Sequence, residues 1–299
     1  MDLVLIGIGT GNPGHLTAQA AAALNGADLI LIPNKGLGKS DLAEVRHLIL
    51  SRVLTHPVAV AEFEMPQRDA SGGYAKGVSD WHDAIAGVWQ QAIAAHPGPK
   101  ARVALMVWGD PMLYDSTLRI AERLGDAKVS VVPGITSVQA LCAAHAIALN
   151  EVAEPVLITT GRQLRDHGWP AGAPDTMVVM LDGEASFQGL PQMGIAIWWA
   201  AYVGMAEQIL IAGPLDEVGP AIVAARAQAR TELGWIMDIY LLRRAPQGPL
   251  HLRPRRGTNR AEAITRRRHD PHSDHRHRWL YRLSSGQAFA GRGARNPRL

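Results

Sequence analysis

The sequence has little cysteine and no long apolar run. Its one cysteine, Cys142, excludes an internal disulfide and a cysteine-based zinc site, so a reducing compartment is permitted. No stretch reaches the roughly 18 consecutive apolar residues that a membrane-spanning helix requires. The chain also opens Met1-Asp2-Leu3, without a basic leader. We therefore expect a cytoplasmic protein with no membrane partner and no metal site.

Lysine is absent from the C-terminal segment, and acidic residues are few there. Residues 245–299 hold 13 arginines and 3 acidic residues, although the whole chain has a net charge of only +3. The segment is rich in histidine, proline and glycine and has little hydrophobic periodicity. We expect a basic, disordered tail without a catalytic role. Because the positive charge is confined to this tail, we expect no nucleic-acid partner, and a polyanion- or metal-binding appendage is the functional alternative.

Strands alternate with helical patterns in the first part of the chain. Apolar runs of strand length cover residues 3–8, 28–32, 102–107 and 129–132. This alternation predicts an N-terminal α/β domain over residues 1–148 with a mostly parallel sheet.

The pattern changes after about residue 148. Strand candidates follow at 155–160, 176–181, 194–201 and 235–242. They predict a second sheet and a C-terminal α/β domain over residues 149–244.

Three loops rich in glycine or proline follow predicted strands. The first contains Gly7, Gly9, Gly11 and Pro13, the second reads Trp108-Gly109-Asp110-Pro111, and the third covers residues 131–137. The carboxyl ends of parallel strands meet at one edge of a sheet, where ligands bind. We therefore expect the three loops to converge on a ligand. Taken alone, each loop could equally have a purely structural role. Thr136 and Ser137, for example, could cap a helix that begins at Val138.

The first loop also satisfies a dinucleotide-binding pattern, Gly9-x-Gly11-x-x-Gly14. A nicotinamide site would favour an acidic residue at the end of the second strand, roughly 20 residues further on. Pro33 and Asn34 stand there instead. A nicotinamide oxidoreductase is thus a disfavoured alternative.

In this order and spacing, the three loops resemble the tetrapyrrole methylase family, over residues 3 to about 244. The opening matches the family's Gly-x-Gly-x-Gly-Asp-Pro-x-x-Leu-Thr except that Asn12 replaces the aspartate. The family's Gly-Gly-Asp-Pro element corresponds to 108–111, with Trp108 in place of a glycine. The resemblance implies two α/β domains, the second with a mixed sheet, and S-adenosylmethionine in the cleft between them, with S-adenosylhomocysteine as product. It also implies a homodimer.

The resemblance further implies which residues bind the cofactor. Carried over residue by residue, they are Gly9, Gly11, Pro13, Trp108, Gly109, Asp110, Leu113, Thr136, Ser137, Leu181 and Tyr202. The backbone of the glycine loops and the hydroxyls of Thr136 and Ser137 suit the polar atoms of adenosine and methionine.

The implied substrate is a carboxylate-rich tetrapyrrole. Segments such as Trp198-Trp199 and 234–240 resemble the corresponding segments of family members that methylate precorrin-5 at C1 and release acetate, giving precorrin-6A. Methylation of a different precorrin, corrin ring or uroporphyrinogen is the alternative.

Lys35 and Arg68 are predicted to bind the substrate's carboxylates. Asp69, Asp110 and Tyr114 are the candidate catalytic groups, because deacetylation needs a base that delivers water to a carbonyl.

Overall fold

Two five-stranded sheets organise the part of the chain that the computed structural model describes, residues 1–34, 40–68 and 74–244. Both sheets belong to one compact unit. Each sheet has its own helices, so the chain forms two α/β domains, as the sequence predicts.

The first sheet is parallel in every described pairing, with the strand order β3-β2-β4-β1-β5. Its strands are β1 (Asp2–Gly7), β2 (Leu29–Asn34), β3 (Ala59–Glu64), β4 (Arg102–Val107) and β5 (Lys128–Val132). The helices that accompany it in the chain are α1 (Ala18–Asn25), α2 (Ser40–Val53), α3 (Tyr74–Ala95), α4 (Thr117–Ala121) and α5 (Ser137–His145). Four of the strands were predicted within two residues, and β3 was missed.

Burial on both faces explains why β1 has a continuous apolar run. Leu3 and Leu5 pack on one face with Trp89 of α3, whereas Val4 and Ile6 pack on the other. A central strand of a parallel sheet covered by helices has no solvent-facing side, so that every position favours an apolar residue.

The second sheet is mixed, with the order β6-β7-β10-β8-β9. β6 pairs with β7 in parallel, and the other described pairings are antiparallel. Its elements are β6 (Val156–Thr160), α6 (Gly161–His167), β7 (Thr176–Met180), β8 (Ile195–Ala201), β9 (Ile209–Pro214), α7 (Leu215–Leu233) and β10 (Asp238–Arg244).

Two predictions for the second sheet are wrong in detail. β9 was missed, and β10 begins at Asp238 rather than at Trp235. Trp235 stands before the strand, where its ring packs edge-on against Tyr202, with 4.9 Å between the ring centroids.

The link between the sheets includes α5, which packs on the second sheet. Val138 and Leu141 lie in one buried cluster with Val178 of β7 and Leu241 of β10. The predicted domain boundary at residues 148 and 149 stays a prediction, and so does the disordered tail, because residues 245–299 lie outside the described residues. No helix in the described part is long and apolar enough to cross a membrane.

Candidate functional site

The three glycine loops converge at the carboxyl edge of the first sheet. They follow β1, β4 and β5, which lie side by side. The backbone N–H of Gly109 donates to the carbonyl of Gly9 at 2.8 Å, and Gly9 donates back to Gly109 at 3.2 Å. The first two loops are therefore joined by their backbones.

The contact among the loops leaves no room for side chains at two positions. A Cβ on Gly134 would lie 2.1 Å from the carbonyl oxygen of Gly109, and one on Gly7 would lie 2.5 Å from the nitrogen of Gly134. Both distances are too short for any real contact, and the obstructing atoms belong to the backbone. Glycine at these positions is a steric requirement of the site.

Asp110 fastens the second loop to the third. One carboxylate oxygen accepts the N–H of Met112 and the other accepts the N–H of Gly134, each at 2.8 Å. Two bonds from backbone N–H groups stabilise the carboxylate and orient it. The candidate base thus sits in a structural contact between loops.

A cavity of about 340 Å³ lies between these loops and the second sheet. Most of the predicted cofactor residues line it: Trp108, Gly109, Asp110, Leu113, Thr136, Ser137, Leu181 and Tyr202. Gly9, Gly11 and Pro13 belong to the first loop but do not line the cavity, which Thr10 of that loop does. Lining residues that the sequence did not indicate include Asp115, Met180, Asp182, Gly183, Val203, Arg230 and residues 236–239.

Three non-glycine residues that line the cavity have a left-handed backbone. The φ angles are 49° at Tyr114, 54° at Leu181 and 49° at Tyr202. This conformation costs a non-glycine residue about 1 kcal/mol or more and concentrates at ligand sites. The Tyr202 hydroxyl donates to the carbonyl of Trp235, and its backbone N–H donates to the carbonyl of Met237 at 2.9 Å.

Thr136 and Ser137 have different roles in the third loop. Thr136 caps α5, where its hydroxyl accepts the N–H of Val138 and its own N–H donates to the side chain of Gln139 at 2.9 Å. α5 begins at Ser137, one residue earlier than predicted. Within the described part of the chain the Ser137 hydroxyl has no partner, so that it can bind a ligand in the cavity.

Trp108 covers the first loop. A Cβ on Gly11 would lie 2.9 Å from the Trp108 ring, which shows how closely the ring approaches. On another side the guanidinium carbon of Arg46 lies 5.7 Å from the ring centroid, within cation–π range. Burial lowers the pKa of Arg46 to about 10, and nearby Asp115 opposes that shift.

The opposite wall of the cavity is built on a buried carboxylate, Asp182. It accepts the hydroxyl of Tyr240 at 2.6 Å, the N–H and hydroxyl of Ser186 at 2.7 and 2.9 Å, and the N–H of Glu184 at 3.1 Å. Burial raises the pKa of this carboxyl, but these hydrogen bonds outweigh burial, and the pKa lies below its usual range. Burial also raises the pKa of Tyr240.

A buried ion pair joins the two segments of this wall. Arg226 of α7 pairs with Asp238, and their side chains are 6% and 4% exposed. The Asp238 carboxylate also accepts the indole N–H of Trp199 at 2.8 Å. Arg226 donates in addition to the carbonyl of Asp182 at 2.8 Å. The loop after β7 and the start of β10 are therefore tied to one helix.

One sequence signal could have indicated Arg226. It follows the buried Ile222 by four residues and precedes the buried Ala229 by three, so it lies on the apolar face of α7. A charged residue on such a face calls for a buried partner. Nothing local to the sequence names Asp238 as that partner.

Fewer of the predicted substrate and catalytic residues than of the predicted cofactor residues line the cavity. Arg68 is exposed and does not line the cavity. Lys35 and Asp69 lie outside the described residues. Tyr114 does line the cavity, and its hydroxyl donates to the carbonyl of Ile158 at 2.9 Å, which links the first domain's loop to β6.

Comparison with known proteins gives consistent matches. The model of the tetrapyrrole (corrin/porphyrin) methylases matches residues 2–219. Precorrin-6A synthase [deacetylating] from Sinorhizobium sp is 48% identical over 249 residues, which cover 81% of this chain and 95% of that protein.

Solved structures agree. A structure described as a cobalamin-synthesis-related protein, CobF, from Corynebacterium diphtheriae is 37% identical, covers 82% of this chain and 99% of its own, and superposes with a TM-score of 0.69. The uroporphyrin-III C-methyltransferase of Thermus thermophilus, solved with S-adenosylhomocysteine, shares the fold at a TM-score of 0.53 and 18% identity, covering 81% of this chain and 97% of its own.

Proposed function

The chain belongs to the tetrapyrrole (corrin/porphyrin) methylases, and from this premise we propose that it methylates precorrin-5 at C1 and releases acetate, giving precorrin-6A. The observation that carries the choice of substrate is the similarity to the Sinorhizobium enzyme over nearly its whole length. Methylation of another precorrin, corrin ring or uroporphyrinogen within the same family is the alternative.

We place the cofactor, S-adenosylmethionine, in the cavity between the two domains. The volume of about 340 Å³ lies within the roughly 300–1,000 Å³ typical of small-molecule sites. Backbone groups at Gly109 and the Ser137 hydroxyl would bind its polar atoms, and the side chains of Leu181, Tyr202 and Val203 would contact the adenine ring. The residues present therefore fit a nucleoside cofactor.

S-adenosylmethionine supplies an electrophilic sulfonium methyl group when bound, so the chain has mainly to position the reactants and exclude water. Such positioning contributes roughly 7–11 kcal/mol in well-oriented reactions. The joined loops of the first domain hold one wall in place, and the buried ion pair of the second domain holds the other. The acidic side chains that line the cavity, Asp110 and Asp115 among them, favour a cationic centre there.

The macrocycle is too large for this cavity, and we place it at the mouth. Tyr114 and Leu181 line the cavity and remain 45% and 66% exposed, and Met112 beside them is 67% exposed. These apolar side chains suit a flat ring.

For deacetylation we retain Tyr114 as the candidate catalytic group, since its oxygen can accept a hydrogen bond from a water molecule at the mouth. Asp110 we assign to positioning, because both of its oxygens hold the loops. Asp69 stays a prediction, as do Lys35 and Arg68 as ligands of the substrate's carboxylates.

The homodimer and the cytoplasmic location also stay predictions. Light scattering coupled to size-exclusion chromatography measures the first, and cell fractionation measures the second.

The test is an assay of purified protein with S-adenosylmethionine and precorrin-5, in which mass spectrometry follows S-adenosylhomocysteine and acetate. Equal amounts of both products are expected. S-adenosylhomocysteine formed without acetate, or only with another precorrin or uroporphyrinogen, would favour the alternative. A failure to bind S-adenosylhomocysteine in calorimetry would contradict the proposal at its base.

A further inference from the structure

Arg230 is the one basic side chain that lines the cavity, as far as the described residues go. The other charged lining side chains are acidic: Asp110, Asp115, Asp182 and Asp238. An anionic ligand group brought into this cavity would meet attraction at Arg230 and repulsion elsewhere.

The guanidinium of Arg230 is held by a neutral acceptor. It donates through one nitrogen to the carbonyl of Gly183 at 3.0 Å. One turn earlier on α7, Arg226 donates to the carbonyl of Asp182. The same loop is thus fixed by two arginines, and Arg230 is oriented by it. A guanidinium has five N–H donors, and no side-chain carboxylate in the described part of the chain forms an ion pair with Arg230.

We propose that Arg230 binds a carboxylate in this cavity. The carboxylate is either that of the cofactor's amino-acid moiety or an acetate or propionate of the macrocycle, so that the inference rests on the proposed function. The planar fork of an arginine matches both oxygens of a carboxylate, which fixes the ligand's orientation as well as its charge.

The chain contains a matched control arginine. Arg165 of α6 is also exposed and contacts the same loop, through an ion pair with Glu184 at 2.8 Å, but it does not line the cavity. The variant Arg165→Met removes the same charge at a similar place and leaves the cavity intact.

The test compares two ligands by calorimetry. S-adenosylhomocysteine carries the amino-acid carboxylate, whereas 5′-methylthioadenosine has the same nucleoside and sulfur without it. If Arg230 binds the cofactor's carboxylate, Arg230→Met lowers the affinity for S-adenosylhomocysteine about tenfold, as expected for a lost charged hydrogen bond. The affinity for methylthioadenosine stays unchanged. Arg230→Lys recovers part of the loss, and Arg165→Met changes neither affinity.

A different result is expected if Arg230 binds a carboxylate of the macrocycle. Both calorimetric affinities then stay unchanged in Arg230→Met, while the KM for precorrin-5 rises about tenfold with little change in kcat. Arg230 is exposed, so the variant should fold, and its melting temperature checks this. Should it not fold, Arg230→Gln is measured in the same way.

Two results would overturn the inference. One is an Arg230→Met variant with wild-type affinities and a wild-type KM. The other is an equal loss of affinity for S-adenosylhomocysteine and methylthioadenosine, because Arg230 would then only support the loop at Gly183. Wild-type protein that binds neither ligand would refute the proposed function itself, which is a separate outcome from an unaffected variant.

Discussion

The two walls of the cavity are built in different ways. On the first-domain side, backbones touch each other because Gly7 and Gly134 have no Cβ. On the second-domain side, buried side chains, Asp182 and the pair Arg226 and Asp238, hold the backbone from behind. A side chain added at Gly7 or Gly134 should therefore disturb the first wall, and loss of one charge of the ion pair should disturb the second.

The largest effect is expected from breaking the ion pair of the second wall. Arg226→Met leaves the Asp238 carboxylate buried without its cation, which typically costs about 3–5 kcal/mol. The free energy of unfolding, measured in urea, should fall by about that amount. The double variant Arg226→Met with Asp238→Asn removes both charges and keeps an acceptor for Trp199, so it should recover much of the loss. Equal destabilisation of the single and double variants would contradict a charge-based wall.

A steric change in the first wall comes next. Gly134→Ala places a Cβ against the backbone of Gly109 and Gly7, and forced overpacking of this kind costs about 1–3 kcal/mol, occasionally more. Because the third loop must move, the affinity for S-adenosylhomocysteine should fall at least tenfold in calorimetry.

Gly87→Ala is the control for this substitution. A Cβ on Gly87, inside α3, would have nothing within 4 Å, so alanine there should stabilise the chain by up to about 1 kcal/mol. Unaltered binding by Gly134→Ala would show that the loop contact is dispensable.

A smaller effect, with a defined pH dependence, is expected at Asp182. Its folded-state pKa lies below the ordinary value of 3.8, so the unfolded chain takes up the proton first as the pH falls. The Asp182 carboxylate therefore stabilises the folded protein above about pH 3.8, and this stabilisation is lost as the pH falls through the lower folded-state pKa.

Tyr240→Phe tests the cause of this pH dependence, because it removes a hydrogen bond that lowers the pKa of Asp182. At neutral pH it should cost about 1–3 kcal/mol. Unfolding free energies at pH 6 and pH 3 should differ less in this variant than in the wild type. An identical acid dependence would mean that the hydroxyl does not stabilise the carboxylate.

The smallest effect on stability is expected where a side chain links the two walls. Tyr114→Phe removes one exposed hydrogen bond to Ile158, which is worth roughly 0.5–1.5 kcal/mol at most. Binding of S-adenosylhomocysteine should not change, while acetate release should slow at least tenfold relative to methyl transfer. Parallel loss of both products would assign Tyr114 to positioning.

The difference between the walls also explains what the sequence could predict. The glycine loops are local patterns after strands buried on both faces, such as β1 and β4, and both the strands and the loops were predicted. β3 and β9, which were missed, are edge strands in which half-buried and exposed residues alternate along most of the strand. Edge position alone does not hide a strand, because the edge strands β5 and β6 were predicted.

The sequence indicated Leu181 and Tyr202 of the second wall, but the buried contacts that support this wall were missed for another reason. Its contacts join residues far apart in the chain, with Tyr240 bonded to Asp182 over 58 positions. Each of these residues alone looks like an ordinary polar residue, and the pairing follows only from the register of β7 against β10. Tertiary partners of this kind have no local signal.

Hydrogen–deuterium exchange with and without S-adenosylhomocysteine tests most directly the claim that two differently built walls close on one cofactor. We expect the ligand to protect amides of both walls together, at 109–113 and 134–137 on one side and at 181–183 and 236–239 on the other. Protection confined to one wall, or absent from both, would contradict the claim.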